Sequence, residues 1–375
     1  MSVIVGRSKV ATTYGIVAAS QPLAARAGVQ VLERGGHAVD AAIAANAVMG
    51  VVEPEMNGIG GDLFAMVYEA SSGKLHGLNA CGWAPSGLTP MLLASHGHDR
   101  MPPRGVHSVT VPGTVAGWEA LRTRFGTLPM ADLLSPAMFY AEHGFPVSDV
   151  IAGRWATWHE KLSADAYAAR LYLPNGRAPA AGEIFRNTDL AAAYRRIAES
   201  GPHGFYRGPT ASAVLRSLHR LGGMMTASDL EEFEAEWVEP ISTTYRGWSI
   251  YELPPNTQGI AALMMLDLME QFPLRDYGFH SARALHVMIE AKKLAYANML
   301  RHVGDTRFGG VPVAAMIEKS FAAAHAADIN PSRAAADVQP SAFDGITTSK
   351  GVDTIYLAAI DKAGNIVSLI QSIYE

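Results

Sequence analysis

The run AAIAANAVMGVV, Ala41 to Val52, constrains the fold more than any other stretch of the sequence. It is apolar around the whole circumference of a helix, interrupted by Asn46. A membrane span needs about 20 such residues, so this run is too short to cross a bilayer. A helix that is apolar all round has to be enclosed by other elements. The sequence therefore predicts a buried helix from about Val39 to Val52, whose alanines let neighbouring backbones approach closely. At 375 residues the chain can supply a core of that size, as one large domain or two closely joined ones.

The flanking patterns predict an α/β protein. Gln21 to Arg34 reads as a helix, with Ser20 as its cap, Pro22 in its first turn and Gly35-Gly36 as its stop. After Asn57-Gly58-Ile59-Gly60-Gly61-Asp62 comes LFAMVY, a strand, joined through Ser72 and Gly73 to a second strand, KLHGLNA. Helices are expected at Thr114 to Arg124, Met130 to Glu142, Thr210 to Leu221 and from near Thr257, with a strand at Trp248 to Leu253. The longest helix is Ala282 to Leu300, with Leu285, Ile289, Leu294 and Ala297 facing inward and Lys292 and Lys293 facing solvent. Pro85 to Gly105 is turn-rich, and Ala322 to Phe343 reads as an exposed linker. Last come two apolar runs, Thr354 to Ile360 and Asn365 to Ile370, joined by Asp361-Lys362-Ala363-Gly364 as a hairpin.

Composition narrows the function classes. With 30 Lys and Arg against 35 Asp and Glu, the formal charge is -5, and no basic field or run favours a nucleic acid or an anionic membrane. Cys81 is the single cysteine, so an intrachain disulfide is excluded. Together with a start, MSVIVGRSKVATT, that lacks a long apolar signal region, this leads to a cytoplasmic expectation. The histidines are dispersed without ligand spacing, so neither metal nor cofactor is expected.

Several residues invite chemical readings. Backbone N–H groups of the Asn57 to Asp62 stretch can cradle an anion or a substrate carboxylate. A tight buried strand entry explains the same glycines, and the strand–loop–helix order of a dinucleotide site is missing. Cys81 has His76 and Asp62 near it in sequence, but proximity along the chain does not make a triad, and an inert buried cysteine is the simpler reading. Asp229 and Glu290 read better as a helix cap and a solvated helix position than as catalytic groups. Thr354 opens a strand, which β-branched residues commonly do.

Read in order, QPLAARAGVQVLERGGHAVDAAIAANAVMGVVEP, MNGIGGDLF, VTVPGTVAGWEAL, GFYRG, GGMMTASDL, YELPPNTQG, EAKKLAYAN and DTIYLAAIDKAGNIVSLIQS cover nearly the whole chain. This ordered set resembles the gamma-glutamyltransferase family. The resemblance implies an N-terminal-nucleophile hydrolase with a four-layer αββα sandwich. Residues 1–353 would be the large-subunit region of one such domain, and 354–375 the first hairpin of the small-subunit region. The family's remaining strands, serines and glycine pair would be absent, making the fold incomplete at its C-terminus and this chain alone a fragment, inactive, or one part of a larger assembly. A small-subunit region would then be a partner, and a homo-oligomer is compatible with the sequence.

The same resemblance implies self-cleavage between Asp353 and Thr354. The freed amine of Thr354 would then take the proton from its own hydroxyl during attack on a substrate amide. Ser372 stands where the family has a threonine that hydrogen-bonds the nucleophile, and keeps the hydroxyl. Tyr374 replaces a substrate-binding asparagine. Cys81 and Gly82 stand at the arginine and acidic positions of the family's Arg-Glu-x-Ala-Pro pattern, and a neutral thiol cannot replace a bidentate cation. Asn57, Gly60, Gly61, Asp62, Cys81 and Tyr374 are the expected substrate-binding set, with Arg104 a weak substitute for the arginine. The expected donor is a small gamma-glutamyl or other acyl amide, as in glutathione metabolism, and the acceptor water or an amine. The alternative is a non-catalytic binding or structural homologue.

Overall fold

The computed structural model describes residues 9–342 and 354–373. They form two compact units, one built from the chain up to Glu236 and again from Val352, the other from Trp237–Gly351. The elements of the first unit used below are β1 (Gly15–Ala19), α1 (Pro22–Glu33), α2 (Ala38–Val52), β2 (Asp62–Glu69), β3 (Lys74–Ala80), α3 (Thr114–Phe125), α4 (Met130–His143), α5 (Thr188–Ser200), β4 (Ile355–Asp361) and β5 (Ile366–Ser372). The strands order as β1-β4-β5-β2-β3, each pair antiparallel.

Every residue of α2 is buried, as its composition requires. The helix packs on α1, α3 and α4 on its outer sides and on β1, β4 and β5 beneath. Small side chains make this possible: a Cβ on Gly28 of α1 would lie 2.9 Å from Val17 and 3.0 Å from the Ala41 carbonyl. Asn46, the polar residue inside the run, accepts a hydrogen bond from Trp118 Nε1 at 2.8 Å. Tyr194 of α5 donates to the Ala47 carbonyl at 2.9 Å. At the N-terminus of α2 the Ala38 N–H donates to Asp361 Oδ2 at 3.0 Å, so the β4–β5 turn caps the central helix. Burial pushes the Asp361 carboxyl up, but hydrogen bonds from Asn365 and Ala38 outweigh it and hold the group below its usual range.

The terminal hairpin forms one residue later than the sequence predicts. Here β4 pairs with β1 and β5 with β2, placing the hairpin inside the sheet. Alternation then sends Ile355, Leu357, Ala359, Val367 and Leu369 into the core beside α2. The opposite face stays open and apolar: Tyr356, Ile360, Ile366 and Ile370 are exposed there, and Ile16 and Tyr68 extend the patch onto β1 and β2.

In the second unit a hairpin of Ile241–Tyr245 and Trp248–Glu252 accompanies α6 (Gly259–Glu270) and α7 (Ala282–His302). Ile260, Ala261, Met264, Ala295 and Met299 form much of their shared core. The inward face of α7 differs from the expected one. Leu285 and Ile289 are exposed, while Glu290, Asn298 and His302 are buried with Ala284, Val287, Ala291 and Leu294.

The reason is a strap formed by residues 330–341, part of the stretch expected to be an exposed linker. His286 Nε2 meets the Asn330 carbonyl at 2.7 Å. Glu290 accepts from Ala335 N at 3.0 Å, and Lys293 donates to the Ala335 carbonyl at 2.8 Å. Asn298 accepts from Ser341 N at 2.8 Å. The solvated-helix reading of Glu290 and the solvent-facing reading of Lys293 are both corrected by these bonds. The stretch also contains α8 (Lys319–His325) in part; Phe343 lies outside the described residues.

Candidate active site

Four adjacent strands bring the sequence-nominated residues into one row. Ser372 of β5 is paired with Asp62 of β2. Ile355 is paired with Gln371, so the next position on each strand sets Thr354 opposite Ser372. Leu63 is paired with Ala80, which likewise sets Asp62 opposite Cys81. Residues directly opposite in a ladder share a face, so Thr354, Ser372, Asp62 and Cys81 all point to the open side of the sheet. Thr354 is exposed, and the other three are half-buried. The remaining nominated residues of this end, Asp353 and Tyr374, lie outside the described residues.

The loop before β2 is stitched onto this row by backbone contact. The Gly61 carbonyl accepts from Gly113 N at 2.9 Å, from Thr114 N at 3.0 Å and from Thr114 Oγ1 at 2.8 Å. A Cβ on Gly61 would lie 1.9 Å from the Ser372 carbonyl oxygen, so glycine is required by close approach rather than by a left-handed φ. Gly82 and Gly113 are held to the same condition, with 1.8 Å to the Val111 carbonyl oxygen and 1.9 Å to that of Ala80. Gly60 has open space where its Cβ would be. Asn57 is turned away from the row: its Nδ2 donates to the carbonyls of Met49 at 3.3 Å and Glu53 at 2.9 Å, closing the C-terminus of α2.

Gln371 is a residue that the sequence reading missed. Its Oε1 accepts from Gly58 N at 3.1 Å and its Nε2 donates to the Gly58 carbonyl at 2.8 Å. The signal was present, because Gln371 follows Val367 and Leu369 on the inward face of β5 and a buried amide there needs polar partners. Thr114, which fastens Gly61, also went unnoticed inside an ordinary helix start.

Asp62 is the best-connected side chain of the row. Its Oδ1 accepts from Gly82 N at 2.8 Å and its Oδ2 from Cys81 Sγ at 3.3 Å. Burial pushes its carboxyl up to about 6, against the opposing hydrogen bonds of Gly82, Cys81 and Thr110. Cys81 is thus a thiol donor to the Asp62 carboxyl. His76 is engaged elsewhere, 3.3 Å from Glu69 Oε2 and 2.9 Å from an Arg124 nitrogen. Arg104 lies exposed. Asp229 caps its helix at Thr226, as read from sequence, and also accepts from Ser86 N at 2.9 Å.

Two buried carboxyls sit between α2 and the glycine loop. Ser20 Oγ donates to Glu53 Oε2 at 2.6 Å. Both carboxyl oxygens of Glu55 are buried, and among the described residues no other residue donates a hydrogen bond to them. Burial, followed by the Glu53 charge, pushes Glu55 up to about 7 despite an opposing backbone hydrogen bond and Arg154. Among the described residues no group of three His, Cys, Asp or Glu is placed to hold a metal ion, and no helix is long and apolar enough to cross a membrane.

The family model described as gamma-glutamyltranspeptidase matches residues 24–375. The chain belongs to the gamma-glutamyltranspeptidase family. Within it, the chain is 34% identical over 363 residues to the glutathione hydrolase-like YwrD proenzyme of Bacillus subtilis, covering 96% of this chain and 67% of that relative. It is 31% identical to the glutathione hydrolase proenzyme of Escherichia coli over 96% of this chain and 62% of the relative. The chain therefore spans about two thirds of the length of these curated relatives. Its fold is similar to the crystal structure of cephalosporin acylase from Bacillus halodurans, with a TM-score of 0.87 and 38% identity over 99% of this chain and 68% of that one. The mixed α/β architecture is thus the N-terminal-nucleophile hydrolase-like fold of gamma-glutamyltranspeptidase relatives.

Proposed function

We propose that the complete, processed protein is an amide hydrolase and acyltransferase in which Thr354 is the nucleophile. The observation that carries this reading is the placement of Thr354 at the exposed start of β4, opposite Ser372 and in line with Asp62. Cleavage between Asp353 and Thr354 gives the threonine a free α-amine. That amine accepts the hydroxyl proton as the oxygen attacks the amide carbonyl and passes it to the leaving nitrogen, so that the amide C–N bond breaks, an acyl-threonine ester forms and the substrate's amine departs. Water or a second amine then takes the acyl group. The Ser372 hydroxyl, one strand away, is suited to hydrogen-bond the threonine oxygen and keep its rotamer fixed.

The family's four-layer arrangement is part of the proposal. It is supported by the open apolar face of the sheet, where Tyr356, Ile360, Ile366 and Ile370 are exposed. Burying such a face at about 25 cal/mol per Å² is a strong drive for a second sheet to cover it. That sheet, in the small-subunit region, would bring the donors that stabilise the developing oxyanion.

Gamma-glutamyl amides and other acyl amides remain the substrate class. The relatives' names include both glutathione hydrolases and a cephalosporin acylase. Trapping an acyl group on the peptide that begins at Thr354, during turnover of an amide donor, tests the reaction. Acylation at another residue would overturn the assignment.

A further inference from the structure

We propose that Asp62 selects the acyl donor, favouring acyl chains whose far end donates a hydrogen bond or carries positive charge and rejecting those whose sole polar end group is a carboxylate. The inference rests on the reading of Thr354 as nucleophile and concerns what that nucleophile is offered.

Placement comes first. Asp62 lies two strands from Thr354 on the same face, with Ser372 between them. Neighbouring strands are about 4.8 Å apart, so about 10 Å separates the two backbones. An acyl chain whose carbonyl meets Thr354 and which runs across Ser372 therefore presents its far end to Asp62. Geometry gives Asp62 the position of a reader of the end group, not of the reacting carbonyl.

Charge comes second. Across the ladder from Asp62 stands Cys81, a neutral thiol whose hydrogen bond goes to Asp62 itself. Gly82 N–H donates to the other oxygen. A carboxylate has about four acceptor sites, so these two donors leave acceptor capacity for a ligand. What remains at this end of the row is an acceptor held in place by its neighbours. A donor carboxylate placed there meets a like charge, with Asp62 or the ligand forced to hold a proton. An ammonium, hydroxyl or amide N–H meets a preorganised partner.

The test uses the full-length protein after processing and three p-nitroanilides of similar acyl length: glutaryl, pentanoyl and aminopentanoyl. The expected order of kcat/KM is aminopentanoyl, then pentanoyl, then glutaryl. Asp62→Asn should raise the glutaryl-to-aminopentanoyl ratio by about tenfold or more, the scale of one pKa unit of charge interaction. Asp62→Ser, which removes the charge with a smaller side chain, should move the ratio the same way. A parent enzyme that prefers glutaryl to aminopentanoyl overturns the inference even if neither variant folds. So does an unchanged ratio in a folded, processed variant. Failure of the parent to expose Thr354 as a new N-terminus overturns the hydrolase reading itself, and is read separately by mass.

Discussion

Gln371 grips Gly58 by both of its backbone polar groups, accepting from the N–H at 3.1 Å and donating to the carbonyl at 2.8 Å. The glycine loop and the hairpin that carries Thr354 and Ser372 are thereby one rigid piece. Gln371→Glu removes the donor and sets a carboxylate against the Gly58 carbonyl. A loss of about 2 kcal/mol is expected, the scale of an unsatisfied buried polar group, measured by urea unfolding. Gln371→Glu as stable as the parent would show that this grip is not needed.

Neighbouring glycines should respond differently. Gly61→Ala puts a methyl group 1.9 Å from the Ser372 carbonyl oxygen, whereas the Cβ position of Gly60 is open. The first change forces the loop off the hairpin and should cost about 3 kcal/mol. Gly60→Ala should stay within about 0.5 kcal/mol. Thermal melts of the pair give the comparison directly.

Glu55 makes stability depend on pH. Its folded-state pKa, pushed up to about 7, exceeds the ordinary carboxyl value, so the native protein keeps a proton that the unfolded chain releases. Stability is then greatest below the unfolded pKa and falls as pH rises through the window from about 4.5 to 7. Glu55→Gln cannot titrate and should flatten the unfolding free energy across that window, by an amount of about 3 kcal/mol at most. Denaturant titrations at the two ends of the window check it.

In the second unit, Glu290 and Lys293 hold both polar groups of Ala335. Glu290→Ala should free the strap and speed proteolytic nicking within residues 330–341, measured by limited proteolysis and mass mapping. Glu290→Gln should be milder, because its amide oxygen can still accept from Ala335 N.

The sequence made some of this legible and hid the rest for physical reasons. The apolar run of α2 could have no environment but a core, and the alternation in β4 and β5 set which residues face it. Motif order led to Thr354 and Ser372, whose juxtaposition across the ladder follows from strand register. Local patterns could not show that Leu285 and Ile289 stay exposed on α7, since the strap recruits Glu290, Asn298 and His302 to the buried face. Nor could they show that the terminal hairpin sits inside a sheet, because β1 and β2 are its partners from the far end of the chain. Asp62 was nominated through the glycine loop, yet its partners, Gly82 N–H and the Cys81 thiol, come from the strand end across the ladder.

The central claim is that Thr354 becomes a nucleophile by becoming an N-terminus. The most direct measurement is intact-mass and N-terminal mapping of the protein expressed at its full encoded length, beside its Thr354→Ala variant. The account predicts a break between Asp353 and Thr354 in the parent and an uncut variant. A parent that stays uncut while folded, or a variant cut at the same bond, would contradict it.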